Sequence, residues 1–155
     1  MQKLNPKNIF FERNIQKKWR DGLLPSIYGI VIGDGSIINI KEVYEKPFPK
    51  IFPSKTREML SFYENEADFF SPTKMGHAFN HKHGFQAICG EGDMGNEGFV
   101  ALQIFDDLIW SAVFCTSNPF RSVKFQDNFI IAESEYNLCW EFDIFQPWRI
   151  NIHQM

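Results

Sequence analysis

The chain has 155 residues, a formal net charge of −3 and 23% charged residues, which fits one globular domain. No stretch comes near the roughly 18 uninterrupted apolar residues of a membrane-spanning helix, and the first residues lack the apolar run of a signal peptide. These features argue against helical membrane spans and predict a cytoplasmic protein that does not bind membranes.

The charges are unevenly divided along the chain. Residues 1–75 carry a net charge of +3, whereas residues 76–155 carry −6. Because the acidic half would repel phosphates, we expect no direct binding to nucleic acid. The acidic half is compatible with a basic protein partner, although on charge alone a solvated acidic surface is the simpler interpretation.

The first predicted element is a helix between Asn5 and Gly22. Asn5 can cap it, Pro6 suits its first helical position, and Gly22 can end it. Three apolar residues recur at a spacing of four and define the face expected to be buried. These are Phe11, Ile15 and Trp19.

A hairpin, an extended segment and a second helix follow. Two runs rich in Ile and Val flank the turn-forming letters "GDGS" at 33–36, which predicts a hairpin. Prolines between Pro47 and Pro53 predict an extended connector. Ser54 can then cap a second helix. Its expected inward-facing residues are Met59, Leu60 and Tyr63.

From Gly84 onward the apolar residues alternate with a period of two, which predicts strands joined by short turns. Short connections favour antiparallel neighbours. The predicted fold is therefore a single α+β domain over 1–155, with a mostly antiparallel, meandering β-sheet over 84–155. One or two helices from the 1–75 half are expected to pack on this sheet. The strand candidates read "FQAIC", "GFVALQIF", "LIWSAVFC", "RSVKF", "NFIIAESE" and "NLCWEFDIF".

The letters "GEGDMG" at 90–95 match the glycine pattern of a dinucleotide-binding turn. That turn must lead into a helix, whereas here the alternating run "FVALQIF" follows. Glu91, Asp93 and Glu97 would also repel phosphates, and their spacing does not match a calcium loop. We interpret the segment as a turn between two strands.

Three histidines, His77, His81 and His83, lie within seven residues. With Cys89 they permit a zinc site or acid–base chemistry, but no second ligand pair has a standard spacing. Surface histidines in a polar loop are the simpler interpretation. A small metal- or histidine-dependent enzyme that uses His77, His81 and His83 stays open as the alternative function.

Catalytic chemistry has no other support in the sequence. No GxSxG elbow is present, and Cys89, Cys115 and Cys139 form no CxxC pair and have no basic neighbours, which predicts reduced, unreactive thiols. We therefore expect no enzyme, cofactor or metal. The strand aromatics are expected to pack in the core. They are Trp110, Phe114, Phe125, Trp140 and Phe142.

The C-terminal strands carry a likeness to a known group. The letters "GDMGNEGFVALQI", "LIWSAVFCTSNPF" and "IIAESEYNLCWEFDI", over roughly residues 90–146, resemble those of small bacterial immunity proteins, the partners of polymorphic, contact-dependent toxins. This resemblance implies a non-enzymatic inhibitor that forms a one-to-one complex with the C-terminal domain of a cognate toxin. A basic nuclease is the expected toxin, and the immunity protein would cover its active site.

Acidic residues near the end of the chain are the candidate toxin-binding surface. If the strands that contain them pair, Glu133, Glu135, Glu141 and Asp143 can form one patch, because Glu141 and Asp143 alternate with apolar residues. A neighbouring turn adds further acids. The candidate residues of that turn are Asp106 and Asp107.

Overall fold

A computed structural model describes residues 1–59 and 68–155. Within them the chain forms one α-helix, α1, at Arg13–Arg20, a single turn of 3₁₀ helix at Glu135–Asn137 and fourteen strands. The strands in chain order are β1 Leu24–Pro25, β2 Gly29–Ile32, β3 Ser36–Val43, β4 Lys50–Pro53, β5 Glu58–Met59, β6 Phe69–Phe70, β7 Thr73–Asn80, β8 Phe85–Glu91, β9 Gly98–Ile104, β10 Asp107–Phe114, β11 Ser122–Gln126, β12 Phe129–Glu133, β13 Leu138–Asp143 and β14 Ile150–Gln154.

The strands build two main sheets, and every strand pair within them is antiparallel. The larger sheet has the order β4-β3-β2-β10-β9-β8-β7, with β5 also paired to β3. The smaller sheet has the order β11-β12-β13-β14. The predicted antiparallel architecture is thus confirmed, but the expected single sheet is wrong. Two sheets form because β2, from the N-terminal half, pairs with β10 and extends the first one.

The two sheets pack face to face over an aromatic core. Trp110 and Phe114 of the larger sheet meet Trp140 and Phe142 of the smaller one, and all four are fully buried. The ring centroids of Phe114 and Trp140 are 4.8 Å apart. The indole nitrogen of Trp110 donates to the Ile144 carbonyl at 2.9 Å, which ties the sheets together. The predicted core role of these aromatics is confirmed, with Phe125 packed at its margin.

Helix α1 covers the opposite face of the larger sheet. Ile15 and Trp19 pack there against Val31, Phe99 and Leu108. Both faces of the central strands β2, β9 and β10 are therefore covered, which explains why their residues are almost all buried rather than alternating. The structure has three layers: one helix, the larger sheet and the smaller sheet.

The start of the first helix differs from the prediction. Asn5 and Pro6 belong to a turn, in which the Asn8 amide donates to the Asn5 carbonyl at 2.9 Å. The helix begins at Arg13, since the Glu12 carboxylate accepts the amides of Asn14 and Ile15 at 3.1 and 2.8 Å and caps it. Its predicted end at Gly22 is confirmed: the Gly22 amide donates to the Trp19 carbonyl, and its φ is +81°.

The predicted hairpin is confirmed as β2 and β3, and part of the predicted proline-rich connector, residues 50–53, forms the strand β4. The second helix is wrong at its start: Met59 lies in β5 and is exposed. The predicted Leu60 and Tyr63 lie outside the described residues, and the last two residues of the predicted helical segment, Phe69 and Phe70, form β6. Strands β1, β7 and β14 were not predicted. β1 has only two residues, and most residues of β7 are exposed, so burial imposes no apolar alternation on it. In β14, Ile150 and Ile152 do alternate with polar residues, and this alternation was missed.

No helix in the described parts of the chain is both long enough and apolar enough to cross a membrane.

Candidate functional site

The outer face of the smaller sheet carries most of the predicted acidic patch. Along β12 and β13, Ile130, Ala132, Trp140 and Phe142 point into the core, so the alternate residues face away from it. In this register Ile131 lies opposite Glu141, Phe129 opposite Asp143, and Glu133 opposite Cys139. We call this surface the outer face. Its residues are Ser122, Lys124, Gln126, Phe129, Ile131, Glu133, Cys139, Glu141, Asp143, Asn151 and His153.

The four acids predicted to form one patch are therefore only partly brought together. Glu133, Glu141 and Asp143 share the outer face, where each is paired with an apolar or cysteine side chain of the neighbouring strand. Glu135 lies beyond the end of β12 in the 3₁₀ turn. Its carboxylate forms an ion pair with Arg121 at 3.1 Å. Glu135 is thus separated from the other three acids.

The three acids on the outer face have different local partners. Asp143 accepts the amides of Phe145 and Gln146 at 2.9 and 3.1 Å and shapes the turn after β13. The Glu141 carboxylate accepts a hydrogen bond from the side-chain amide of Asn151 at 3.4 Å, and it lies 3.9 Å from Nδ1 of His153. Glu133 and Glu141, both partly exposed, are the two carboxylates of this face best placed to meet a partner.

Asp106 and Asp107 lie on a different part of the molecule. They form the turn between β9 and β10 of the larger sheet, not a turn next to β12 and β13. The Asp107 carboxylate pairs with Arg20 of α1 at 2.6 Å, which places this turn on the helix side. The expected single acidic surface is therefore wrong for these two residues, because the chain forms two sheets instead of one.

The structure does not bring the three candidate histidines together. His77 lies in β7 opposite Ile88, on the helix side of the larger sheet. His83 lies in the following turn and stacks on Phe85, which faces the other layer, with ring centroids 5.1 Å apart. The rings of His81 and Phe79 form a T-shaped, edge-to-face contact with centroids 4.7 Å apart. Within residues 1–59 and 68–155, no group of three His, Cys, Asp or Glu residues is arranged to hold a metal ion.

The glycine-rich segment is a strand-to-strand turn, as predicted. It joins β8 to β9, and no helix follows it. The Glu97 side chain closes the turn from inside: it is 4% exposed, accepts the Met94 amide at 3.0 Å and is hydrogen-bonded to the Tyr28 hydroxyl. This hydrogen bond to Glu97, together with burial, raises the pKa of Tyr28 to about 12. The acidic side chain that lies closest to the glycines therefore has a structural role.

Sequence reasoning missed a polar network around Glu42. Its carboxylate accepts the backbone amides of Cys115 and Thr116 at 3.0 Å each, the Thr116 hydroxyl at 2.7 Å and the Cys115 thiol at 3.1 Å. Cys115 and Thr116 are 73 and 74 positions from Glu42 in the chain. Glu42 is a lone acid in an apolar strand, so no local spacing could reveal the contact. The network fastens the end of β10 to β3.

The thiol in this network is a poor nucleophile. Burial and the hydrogen bond to Glu42 together raise the pKa of Cys115 to about 11. Burial also raises the pKa of Cys89, to about 12, and it raises the pKa of Cys139. Because the thiolate is the reactive form, the three cysteines fit the prediction of unreactive thiols.

We expect iodoacetamide to alkylate Cys115 at pH 8 about a hundred times more slowly than a free cysteine, since a pKa of about 11 instead of 9.0 lowers the thiolate fraction by that factor. The Glu42→Gln variant should react faster, because the carboxylate that disfavours the thiolate is removed. Peptide mapping by mass spectrometry measures both rates. Equal rates in the native protein and the variant would contradict the role assigned to Glu42.

A groove of about 720 Å³ lies at one end of the molecule, between the segment 44–49 and the ends of β13 and β14. Two exposed tyrosines line it, Tyr44 and Tyr136. Tyr136 and the next residue, Asn137, have φ values of +61° and +58°. A left-handed backbone costs a bulky residue about 1–2 kcal/mol, so the fold maintains this exposed ring at an energetic cost.

Comparisons with known proteins give little further information. No family model matches the chain, and a search of curated proteins finds no significant match. A solved structure, BamB from Moraxella catarrhalis, shares a TM-score of 0.43 and 9% identity with it. The match covers 86% of this chain but 35% of BamB, so the chain spans about a third of that protein. A likeness at this level supports no statement about function.

Proposed function

We propose that this protein is an immunity protein that binds a cognate toxin domain and neutralises it. The toxin is a basic domain and, as the resemblance of residues 90–146 implies, a nuclease. The complex contains one copy of each chain, forms in the cytoplasm and covers the toxin's active site. The protein itself performs no reaction.

The observation that carries this proposal is the outer face of the smaller sheet. Glu133 and Glu141 are directed away from the core on adjacent strands, and Phe129, 41% exposed, lies on the same face. Exposed carboxylates beside an exposed aromatic ring give both charge complementarity and apolar contact area. A nuclease domain is basic because its substrate is a polyanion, so an acidic face accelerates and orients its docking.

The test is charge reversal on the outer face. We expect Glu133→Lys/Glu141→Lys to bind the toxin domain about tenfold or more weakly at low salt, since both changes place cations against a basic surface. This variant should also fail to rescue cells that co-express a toxic C-terminal domain encoded by a neighbouring gene. Titration calorimetry at low and high salt measures the affinity and its salt dependence.

A matched control is available on the larger sheet. Asp93→Lys/Asp106→Lys changes the net charge by the same amount at two exposed positions that lie off the outer face. This control should retain rescue and most of the affinity. Equal behaviour of the two double variants would remove the outer face from the proposal, and absence of any complex with the co-expressed domain would overturn the proposed function.

A further inference from the structure

Strand β14 forms an edge of the smaller sheet, and its register defines which backbone groups face outward. The Met155 amide donates to the Asn137 carbonyl at 2.9 Å, and the Asp143 amide donates to the Arg149 carbonyl at 3.4 Å. Hydrogen-bonded pairs alternate along an antiparallel ladder, so Asn151 and His153 bond to β13. The amides and carbonyls of Ile150, Ile152 and Gln154 therefore point away from β13.

These outward groups have no backbone partner within residues 1–59 and 68–155. Two other edges of the main sheets are less open. In β4 the residues that face outward by the same argument are Ile51 and Pro53, and Pro53 has no amide hydrogen to donate. At the opposite side β7 lies against β11, where a Cβ added to Gly76 would be 3.1 Å from the Ser122 Cα. Thus β14 is the edge best able to accept another strand.

The size of the outer face points to the same conclusion. Four strands about 4.8 Å apart, each about five residues long, give a face of roughly 300 Å² in projection. A stable protein interface buries about 800 Å² on each partner. The outer face alone is small for such an interface, so contacts at its border along β14 would add area.

The surroundings of β14 define the chemistry of the strand that fits. Ile150 and Ile152 pack against the core, and the grooves at the two ends of β14 are bordered by apolar residues, among them Phe48 and Trp148. On the outer face, an added strand would lie next to Asn151 and His153. A long cationic side chain of that strand could reach the Glu141 carboxylate. Apolar residues therefore suit its inward positions, and Lys or Arg suit its outward positions.

We propose that an extended segment of the partner, about five residues long with alternating apolar and basic side chains, pairs with β14 and adds a fifth strand to the smaller sheet. This inference rests on the proposed function, because the partner that supplies the segment is the toxin domain. A second copy of this chain is the competing occupant, and the experiment distinguishes it.

Amide hydrogen exchange, followed by NMR on the full chain alone and with the co-expressed toxin domain, tests the proposal. In the free protein the amides of Ile150, Ile152 and Gln154 should exchange quickly, and the complex should slow them about tenfold or more. The amides of Asn151 and His153, already bonded to β13, provide the internal control and should change much less.

A pair of variants gives an independent measurement. Ile152→Pro removes an outward amide that has no partner in the free protein, whereas Ile152→Val retains it. We expect the proline variant to bind the toxin domain at least about tenfold more weakly and the valine variant to bind it normally. Exchange in the free protein, compared between the two, verifies that both are folded. If the proline variant is unfolded, the three exchange rates in the native complex decide alone.

The outcomes separate this inference from the proposed function. Rescue and tight binding without slower exchange at the three amides would overturn strand pairing at β14 and leave the immunity function standing. Slower exchange that grows with the concentration of the free protein would identify a second copy as the occupant and would also overturn it. If no complex with the toxin domain forms, both proposals fail.

Discussion

Replacing Gln16 by leucine should lower the free energy of unfolding by about 4 kcal/mol. Gln16 lies in α1 and is 2% exposed. Its side-chain amide donates to the carbonyls of Gly33 and Leu108 at 3.2 and 2.9 Å, and its carbonyl oxygen accepts the Leu108 amide at 2.6 Å. Leucine makes none of these bonds, and each buried polar group left without a partner costs about 1–3 kcal/mol. Two other polar contacts between α1 and the larger sheet, Trp19 with Gln103 and Arg20 with Asp107, would remain.

Urea denaturation followed by circular dichroism measures this loss. The same substitution at an exposed position of the smaller sheet, Gln126→Leu, is the control and should change stability by less than about 0.5 kcal/mol. A loss below about 1 kcal/mol for Gln16→Leu would mean that the three hydrogen bonds contribute little to folding.

The second large effect is expected at Gly90, the first glycine of the "GEGDMG" segment. A Cβ at this position would overlap the backbone carbonyl oxygen of Thr73 in β7 and would lie 3.0 Å from the Phe99 ring. Neither neighbour is the end of a flexible chain, so the two strands would have to separate. We expect Gly90→Ala to destabilise the protein by about 3 kcal/mol, near the upper end of the usual cost of overpacking.

The same segment offers a matched control for this variant. At Gly95 the nearest atom to an added Cβ is the Glu91 carboxylate oxygen, 3.7 Å away, which is an ordinary contact. Gly95→Ala should therefore be nearly neutral in thermal and urea denaturation. Similar losses in both variants would show that the glycines serve the turn and not the close approach of β7 and β8.

The strands of the C-terminal half could be predicted because their alternation reports directly on burial. Leu138, Trp140 and Phe142 face the core, while Glu141 and Asp143 face outward, as the period of two indicates. The strand β7 could not be predicted in this way, because its residues at an edge of the sheet are mostly partly or fully exposed. Local pattern is informative only where one side of a strand is buried.

The division into two sheets depends on contacts between distant parts of the chain. The pairing of β2 with β10 joins residues about 80 positions apart, and no turn or spacing in the sequence encodes it. The start of α1 failed for a different reason: Asn5 and Pro6 are good helix-starting residues, but Glu12 caps the helix later, and the chain before it turns. The first error thus arises from long-range strand pairing and the second from a competing local cap.

The candidate site was predictable where it depends on alternation within a strand and not where it depends on which strands pair. The positions of Glu133, Glu141 and Asp143 follow from strand alternation, and the structure brings these three onto one face. A single sheet would place Asp106 and Asp107 in a turn beside that face, whereas in the structure this turn lies on the helix side of the larger sheet. The Glu42 network and the open edge of β14 depend on pairing partners that sequence alone does not identify.

Along β12 and β13, core residues alternate with residues at the surface, so substitutions on the same strands have two different effects. Substitutions at Trp140 or Phe142 act on the packed interior, whereas substitutions at Glu133 or Glu141 act on partly exposed side chains at the surface of the sheet. Substitutions can therefore accumulate at the outward positions while the core residues and the fold stay the same. The charge and polarity of this surface can thus change without altering the residues that pack the two sheets together.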